Sequence, residues 1–127
     1  MLVETAERYI KAIVNKDLEA MKEIFADDIE FFNWNIYAKG KEEALERNRI
    51  HLALVESTKI DILNIINKER CVCFETVLSH KYKFNTVDIF DTANVKPANI
   101  EITTSLVFII EFNNTDKIKS IRTYKLR

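Results

Sequence analysis

The amino-acid sequence predicts an α+β fold, in which helices come first and long antiparallel strands follow. Apolar residues recur at three- and four-residue steps near the start, and the period changes to two after Ser57 and Thr58. The 127 residues are enough for one domain, 1–127, with a single core. The one glycine, Gly40, excludes glycine-rich phosphate loops and the nucleophile elbow, which need several glycines at fixed offsets.

Three helices and one strand are expected in the first part of the chain. The apolar residues at helical spacing in the first helix are Val3, Ala6, Ile10, Ile13 and Val14. Asp17 is expected to be the N-cap of a short second helix. The apolar face of that helix comprises Leu18, Met21, Ile24 and Phe25. An aromatic strand follows over Ile29–Ile36, and Gly40 precedes a third helix over Lys41–Val55.

The second part of the chain predicts two hairpins with a long connection between them. The paired segments are 59–66 with 71–82, and 101–112 with 117–126. The connection contains Pro97 and has room for a short edge strand over Val87–Phe90. Along 101–112 one face is apolar and the other is half polar. We therefore expect one face to pack on the helices and the other to face solvent or a second subunit.

Charge and cysteine content restrict the expected partners and cofactors. The formal net charge of −1 offers no basic excess for a phosphate backbone, so we expect no nucleic acid partner. No apolar stretch reaches the roughly 18 residues of a membrane span, and no signal peptide is recognised, which favours a cytoplasmic protein without a membrane partner. Cys71 and Cys73 are poorly placed to pair, and the two histidines show no metal-ligand spacing. We therefore expect no disulfide, no metal and no cofactor.

Several short motifs occur in an order that is similar to that of a known superfamily. They are Arg8-Tyr9-Ile10, Lys16-Asp17-Leu18-Glu19-Ala20-Met21, Ile24-Phe25-Ala26-Asp27-Asp28, Gly40-Lys41-Glu42-Glu43-Ala44, Asp116-Lys117-Ile118 and Ser120-Ile121-Arg122. With these motifs the whole chain resembles the nuclear transport factor 2-like superfamily, which includes SnoaL-like and ketosteroid isomerase-like proteins. The resemblance implies a cone, in which a strongly curved, mainly antiparallel sheet surrounds three N-terminal helices and an apolar pocket. It also implies a homodimer formed through the outer face of the sheet.

The resemblance to ketosteroid isomerase can be followed at three positions. Tyr9 lies where the resemblance places the tyrosine of the oxyanion hole. Asn33 lies at the position of the catalytic base, and an amide has no useful basicity. Phe108 lies at the position of the second oxyanion donor and offers no proton. The resemblance therefore implies the pocket but not the isomerase mechanism.

The remaining candidates for chemistry are a histidine, a tyrosine and several ligand contacts. His80 is the preferred general base, because the reference pKa of histidine is about 6.5 and its strand face reaches the cavity if that face points inward. Tyr9 is the expected hydrogen-bond donor. The alternatives are a solvated rim histidine and a packed helical tyrosine, and His51 is expected to be a packing or surface residue. Ligand contacts are expected from Phe74, Phe108, Asn33 and Tyr37, of which the last two form an aromatic and amide cluster with Trp34 and Asn35. The alternative for this cluster is a strand end whose polar side chains serve the following turn.

Two functions from different classes remain open. The first is a small apolar ligand-binding protein of the SnoaL-like type, with isomerase-, cyclase- or dehydratase-like proton transfer. The second is a non-catalytic dimerisation or protein-interaction domain that uses the outer face of the sheet. An open pocket favours the first function. An interior filled by Phe32, Phe74, Phe108 and Phe112 favours the second.

Overall fold

The structure of the protein is a computed structural model that describes residues 2–33, 36–88 and 91–126. The helices are α1 (Leu2–Asn15), α2 (Leu18–Ile24) and α3 (Lys41–Leu54). The strands are β1 (Phe25–Asn33), β2 (Ile36–Lys39), β3 (Val55–Lys68), β4 (Cys71–Tyr82), β5 (Thr86–Asp88), β6 (Asp91–Lys96), β7 (Ile102–Phe112) and β8 (Ile118–Lys125). The predicted α+β class, with three helices before the long strands, is confirmed.

Local sequence signals determine where two of the helices begin. Asp17 is the N-cap of α2, as predicted, and its carboxylate accepts a hydrogen bond from the Ala20 N–H at 3.0 Å. Gly40 precedes α3 with φ at +90°, a backbone conformation that L side chains rarely adopt. The Gly40 N–H donates to the Ile29 carbonyl at 2.7 Å. This bond fixes the turn between β2 and α3 against β1.

Six strands form one mixed sheet in the order β2-β1-β8-β7-β4-β3. Neighbouring strands are antiparallel, except that β1 and β8 run parallel. Strands β2 and β3 are the two edges, so the sheet does not close into a barrel. The hairpins predicted over the second part of the chain correspond to β3 with β4 and to β7 with β8.

The connection between the two hairpins contains more structure than the sequence predicted. Strands β5 and β6 form a separate antiparallel pair. The edge strand expected over Val87–Phe90 corresponds in part to β5, and β6 was not predicted. Ile89 and Phe90 lie outside the described residues, as do Trp34 and Asn35. Strand β6 was not predicted because it contains only two strand-favouring residues, Thr92 and Val95, and lies close to Pro97.

The alternation of side chains along β4 separates an inner face of the sheet from an outer face. The buried residues of β4 are Val72, Phe74, Thr76, Leu78, His80 and Tyr82. The face that carries His80 therefore points inward, which the sequence had left open. One row of paired residues crosses the inner face and comprises Phe74, Phe108, Thr123 and Asn33. Helices α1 and α3 lie against this side of the sheet.

Aromatic and aliphatic side chains together fill the space between the helices and the inner face. Among the largest fully buried side chains are Tyr9, Phe25, Phe74, Tyr82 and Phe112. Phe32 is instead 37% exposed, because it alternates out of β1 onto the outer face. Of the four phenylalanines whose packing in the interior would favour the interaction domain, Phe74, Phe108 and Phe112 are buried and Phe32 is not.

The helices show no membrane-spanning character. None of the helices among the described residues combines the length and the apolar content that crossing a bilayer requires. The single domain over 1–127, the cytoplasmic location and the absence of a nucleic acid partner stay predictions.

Candidate functional site

A small cavity lies at the centre of the inner face, between α1, α3 and four strands of the sheet. Its volume is about 30 Å³. The residues that line it are Tyr9, Ile13, Asn33, Asn48, His51, Leu52, Leu78, Leu106, Phe108 and Thr123. Half of these side chains carry a polar atom, although the surrounding core is apolar. This combination makes the cavity the candidate functional site.

Tyr9 supplies a hydroxyl to the cavity from α1. Its ring packs on Phe25 and meets the Phe108 ring edge-on, with centroid distances of 5.9 Å and 6.3 Å. Burial raises the pKa of Tyr9 well above its usual value. The hydroxyl therefore stays protonated at neutral pH and serves as a hydrogen-bond donor.

Asn33 supplies an amide at the end of β1. The parallel register of β1 and β8 sets it beside Thr123, which is itself paired with Phe108. The Asn33 Oδ1 atom is buried and has no hydrogen-bond partner among the described residues. A buried acceptor without a partner is uncommon in native proteins, so this atom marks a position where a donor can bind.

His51 supplies an imidazole from α3, one residue before the buried Leu52. Its Nδ1 atom is buried and has no partner among the described residues. The pKa of His51 is lowered to about 4, chiefly by burial and to a smaller extent by the neighbouring His80, whereas Asp88 opposes the shift. The ring is therefore neutral at pH 7 and retains an unprotonated nitrogen.

His80 lies behind His51 and does not line the cavity. Its Nε2 atom is 3.1 Å from Asp88 Oδ1, and the Tyr82 hydroxyl donates to the same oxygen at 2.7 Å. The side chains of His80 and Asp88 are each 1% exposed. The His51 and His80 rings meet edge-on with centroids 6.3 Å apart. A buried polar cluster (His51, His80, Tyr82 and Asp88) thus extends from the cavity to β5.

The structure brings together only some of the side chains that the sequence proposed as a site. Tyr9, Asn33 and Phe108 line the cavity, and Phe74 lies beside Phe108 in the same inner row. Tyr37 lies on the outer side of β2, 48% exposed, where its ring packs on Phe32 and its hydroxyl donates to Glu30 Oε2 at 3.2 Å. The Tyr37 side chain therefore does not line the cavity that Tyr9 and Asn33 line.

Sequence reasoning missed two functional candidates, His51 and Asp88. The spacing of Ala44, Asn48 and Leu52 puts one face of α3 inside, and His51 adjoins that face. This pattern was visible in the sequence, but it did not distinguish a packing or surface histidine from one that lines a cavity. Nothing in the sequence indicated Asp88, because its contact with His80 depends on the unpredicted pairing of β5 with β6.

The two cysteines lie on the outer face of the sheet, and the described residues offer no set of metal ligands. The Cys71 and Cys73 sulfurs are 4.0 Å apart, and burial, with the neighbouring Cys73, raises the pKa of Cys71 to about 11. The thiol form of Cys71 therefore predominates at neutral pH. Within the described ranges, no three His, Cys, Asp or Glu side chains cluster as a metal site requires.

A larger open groove of about 850 Å³ runs along the surface between α2 and α3. Most of its lining side chains are charged, among them Lys22, Glu43 and Arg49. Acidic and basic groups alternate there, and Lys41 pairs with Asp27 at 3.3 Å. The groove has the character of a solvated surface, and the interior cavity remains the better candidate.

Comparisons with known proteins agree with this architecture. A family model described as the SnoaL-like domain matches residues 6–121. A putative SnoaL-like polyketide cyclase from Shewanella denitrificans OS-217 has 16% identity and a TM-score of 0.80, over 98% of this chain and 90% of that one. A second putative cyclase, from Jannaschia sp. CCS1, has 14% identity and a TM-score of 0.80, over 98% and 84%.

An LEH-like epoxide hydrolase of M. tuberculosis has the same fold. It shares 14% identity and a TM-score of 0.75, over 98% of this chain and 82% of that one. No curated protein matches the sequence. At these identities the structural likeness concerns the fold, and the chemistry has to be argued from the residues of this chain.

Replacing Asp88 tests how much the buried polar cluster contributes to the stability of the fold. We expect Asp88→Ala to lower the free energy of unfolding by about 3–5 kcal/mol, because it leaves His80 and the Tyr82 hydroxyl without their acceptor. Tyr82→Phe removes one donor and should cost only about 1–3 kcal/mol. Urea unfolding measures both, with Asp61→Ala on an exposed carboxylate as the control. If Asp88→Ala lowers the free energy of unfolding no more than Asp61→Ala does, the buried polar cluster does not stabilise the fold as expected.

The buried imidazole of His51 makes stability depend on pH. Its pKa is about 4 in the folded protein and 6.5 in the reference state, so the unfolded chain binds the proton more tightly. The contribution of neutral His51 to the free energy of unfolding is complete above pH 6.5 and is lost as the pH falls towards 4. The free energy of unfolding changes by up to about 3 kcal/mol over this range. We expect a flatter pH profile of unfolding free energy for His51→Gln than for the wild type. Glu56→Gln, at an exposed site, is the control, and parallel profiles for wild type and His51→Gln would refute the prediction.

Proposed function

The chain belongs to the SnoaL-like domain family, and from that premise we propose that it binds a small, largely apolar molecule by one oxygen-bearing group. The group enters the cavity among Tyr9, Asn33 and His51. One observation carries the proposal: two buried polar atoms, Asn33 Oδ1 and His51 Nδ1, lack partners beside a protonated Tyr9 hydroxyl. Buried polar groups in an apolar surrounding are costly unless they bind something, which supports a ligand there.

The size of the cavity limits which part of the ligand it holds. About 30 Å³ accommodates a hydroxyl group, which can donate to Asn33 Oδ1, but not the carbon skeleton attached to it. The skeleton has to displace apolar side chains that line the cavity, such as Leu52 and Leu78. Phe108 lines the cavity and Phe74 lies next to it, so both are proposed contacts for an apolar skeleton. Tyr37 belongs to the outer face and is not part of this proposal.

The residues also support proton transfer at the bound group. Tyr9 donates a hydrogen bond to an oxygen that gains negative charge, and the neutral His51 accepts a proton. His80 contacts the His51 ring and is held by Asp88, so we assign it to orienting His51 rather than to the substrate. Two structures of the same fold are named as polyketide cyclases, which is in keeping with the cyclase-like alternative among the isomerase-, cyclase- and dehydratase-like reactions.

Binding of a small alcohol tests the proposal directly, because its hydroxyl can accept from Tyr9 and donate to the unpartnered Asn33 Oδ1. We expect cyclohexanol, titrated into the ¹⁵N-labelled protein, to shift amide resonances of residues around the cavity, such as Asn33 and Leu52. Tyr9→Phe removes one hydrogen bond and should weaken binding about five- to tenfold. Tyr124→Phe, at a tyrosine that is 46% exposed on the outer side, is the matched control. Equal affinities for the two variants, or shifts confined to the outer face, would overturn the proposal.

A second candidate function is association through the outer face of the sheet. A row of paired residues crosses this face and comprises Ile66, Cys73, Ile109, Arg122 and Phe32. The neighbouring row adds Val107 and Tyr124. Ile66 is 56% exposed, and the row it belongs to carries one charged side chain, Arg122. These residues support a homodimer in which the two outer faces pack together.

A charge in the centre of the outer row tests association. We expect the wild type to run as a dimer in light scattering and native mass spectrometry, and Ile109→Glu to run as a monomer, because a carboxylate would be buried at the interface. Lys22→Glu introduces a carboxylate on α2, away from the sheet, and should leave the dimer intact. A monomeric wild type would rule out the second candidate.

A further inference from the structure

A second space, the α1–β3 groove, lies on the flank of α1 that faces the edge strand β3. Its volume is about 440 Å³, within the range of about 300–1,000 Å³ that is typical of small-molecule sites. Its apolar lining comprises Ile10, Val14, Ile60 and Ile62. Next to Asn15, which also lines the groove, the Lys16 ammonium donates a hydrogen bond to the Val55 carbonyl. This bond joins the end of α1 to the start of β3 and holds the two walls of the groove together.

At one point the groove and the central cavity are separated by a single pair of side chains. Leu78 lines the cavity and Ile60 lines the groove. These two residues are register partners of β4 and β3, and the Cβ atoms of such partners are about 4.5–5.5 Å apart. Helix α1 borders both spaces, because Ile13 lines the cavity and Val14 lines the groove. A ligand that moves Leu78 aside therefore passes from the cavity into the groove.

The groove supplies the space that the cavity lacks. The cavity has about 30 Å³ and holds only a hydroxyl group, whereas the groove has about 440 Å³. Leu78 is 6% exposed, but its partner Ile60 is only half-buried and borders the groove. Turning Leu78 towards Ile60 therefore requires a change of rotamer at the edge of the core, while the close-packed centre of the core stays in place.

The polar side chains around both spaces favour a neutral ligand. The groove is also lined by Glu7 and Lys11, which are four residues apart on α1, where opposite charges are neighbours. One acid and one base leave the groove without a net charge. None of the described residues that line the cavity is an Asp, Glu, Lys or Arg, and His51 is neutral at pH 7. An uncharged head group and an apolar chain therefore match the two spaces better than a carboxylate or an amine does.

We infer that the cavity and the α1–β3 groove form one binding site for a neutral aliphatic alcohol of medium chain length. Its hydroxyl lies in the cavity, Leu78 is turned aside, and its alkyl chain lies in the groove. The inference rests on the proposed function and deepens it, because it names the class of ligand and the place of the carbon skeleton. The hydroxyl accepts from Tyr9 and donates to Asn33 Oδ1. Affinity should therefore rise with chain length once the chain passes Leu78.

The first experiment locates the two ends of 1-octanol on the protein by NMR. The protein carries ¹³C-labelled methyl groups in its Ile, Leu and Val residues, and the alcohol is unlabelled. We expect the protons next to the hydroxyl to show NOEs to the methyl groups of Leu52 and Leu106, which line the cavity. The terminal methyl group should show NOEs to Val14 and Ile62, which line the groove. A reversed orientation, or a terminal methyl group that contacts neither Val14 nor Ile62, would overturn the inference.

The second experiment compares the affinities of 1-butanol and 1-octanol by NMR titration. In the wild type each added methylene should tighten binding about two- to fourfold, because the groove buries it. Val14→Glu places a carboxylate in the groove at a residue that is 36% exposed, and it should remove most of this gain. Ile50→Glu, at a residue of α3 that is 45% exposed, is the matched control and should retain the gain. Equal chain-length dependence in the two variants would refute the inference.

The third experiment tests Leu78 as the barrier between the two spaces. Leu78→Ala removes the side chain that has to turn aside, so we expect 1-octanol to bind about two- to tenfold more tightly. Leu45→Ala is the control, because Leu45 lines the surface groove between α2 and α3. An affinity for 1-octanol that Leu78→Ala leaves unchanged or lowers would mean that the chain does not pass this residue. If Leu78→Ala does not fold, the NOEs and the Val14→Glu comparison decide the inference.

The outcomes separate this inference from the proposed function. If the hydroxyl of 1-octanol lies in the cavity and its chain lies outside the α1–β3 groove, the inference is wrong and ligand binding in the cavity stands. If 1-octanol occupies the groove with its hydroxyl in solvent, the two spaces do not form one site and the inference is again wrong. If neither cyclohexanol nor 1-octanol contacts the residues of the cavity, the proposed function fails and the inference fails with it.

Discussion

The alternation of side chains across six paired strands is the constraint on which the rest of the structure depends. Because paired residues share a face, a single register decides that Phe74, Phe108, Thr123 and Asn33 face the helices. The same register places Ile109 on the outside. A shift of any strand by one residue would exchange the two faces, expose the aromatic core and remove Asn33 from the cavity. The register therefore fixes the core, the site and the outer face together.

The fold was largely predictable because its signals are local or periodic. The Asp17 cap, the break at Gly40 and the alternation in β7 each depend on a few neighbouring residues. Which face of β4 points inward could be read only from the structure, because both faces carry apolar residues that fit a core, such as Phe74 and Val77. Strand β6 was missed because its pairing with β5 has little periodic signal.

The site was less predictable, because it depends on contacts between distant segments. Tyr9, Asn33 and Phe108 were expected from the resemblance, and they do meet at one cavity. His51 was assigned to packing or surface, since it adjoins the apolar Leu52 on α3 and no sequence pattern links it to Tyr9 or Asn33. Asp88 comes from an element that the sequence did not predict, and its contact with His80 spans from β5 to β4. Polar pairs of this kind leave no periodic pattern, so sequence alone does not reveal them.

The position of β8 has a consequence for how the chain folds during synthesis. Although β8 is the last strand of the sequence, it lies between β1 and β7 in the interior of the sheet. Until β8 has left the ribosome, β1 and β7 each present an unpaired edge, and the inner row lacks Thr123. The native sheet therefore cannot form progressively from the N-terminus, and its completion awaits a contact between segments about ninety residues apart. During that interval the open edges of β1 and β7 can pair with other chains, so the nascent protein is exposed to aggregation.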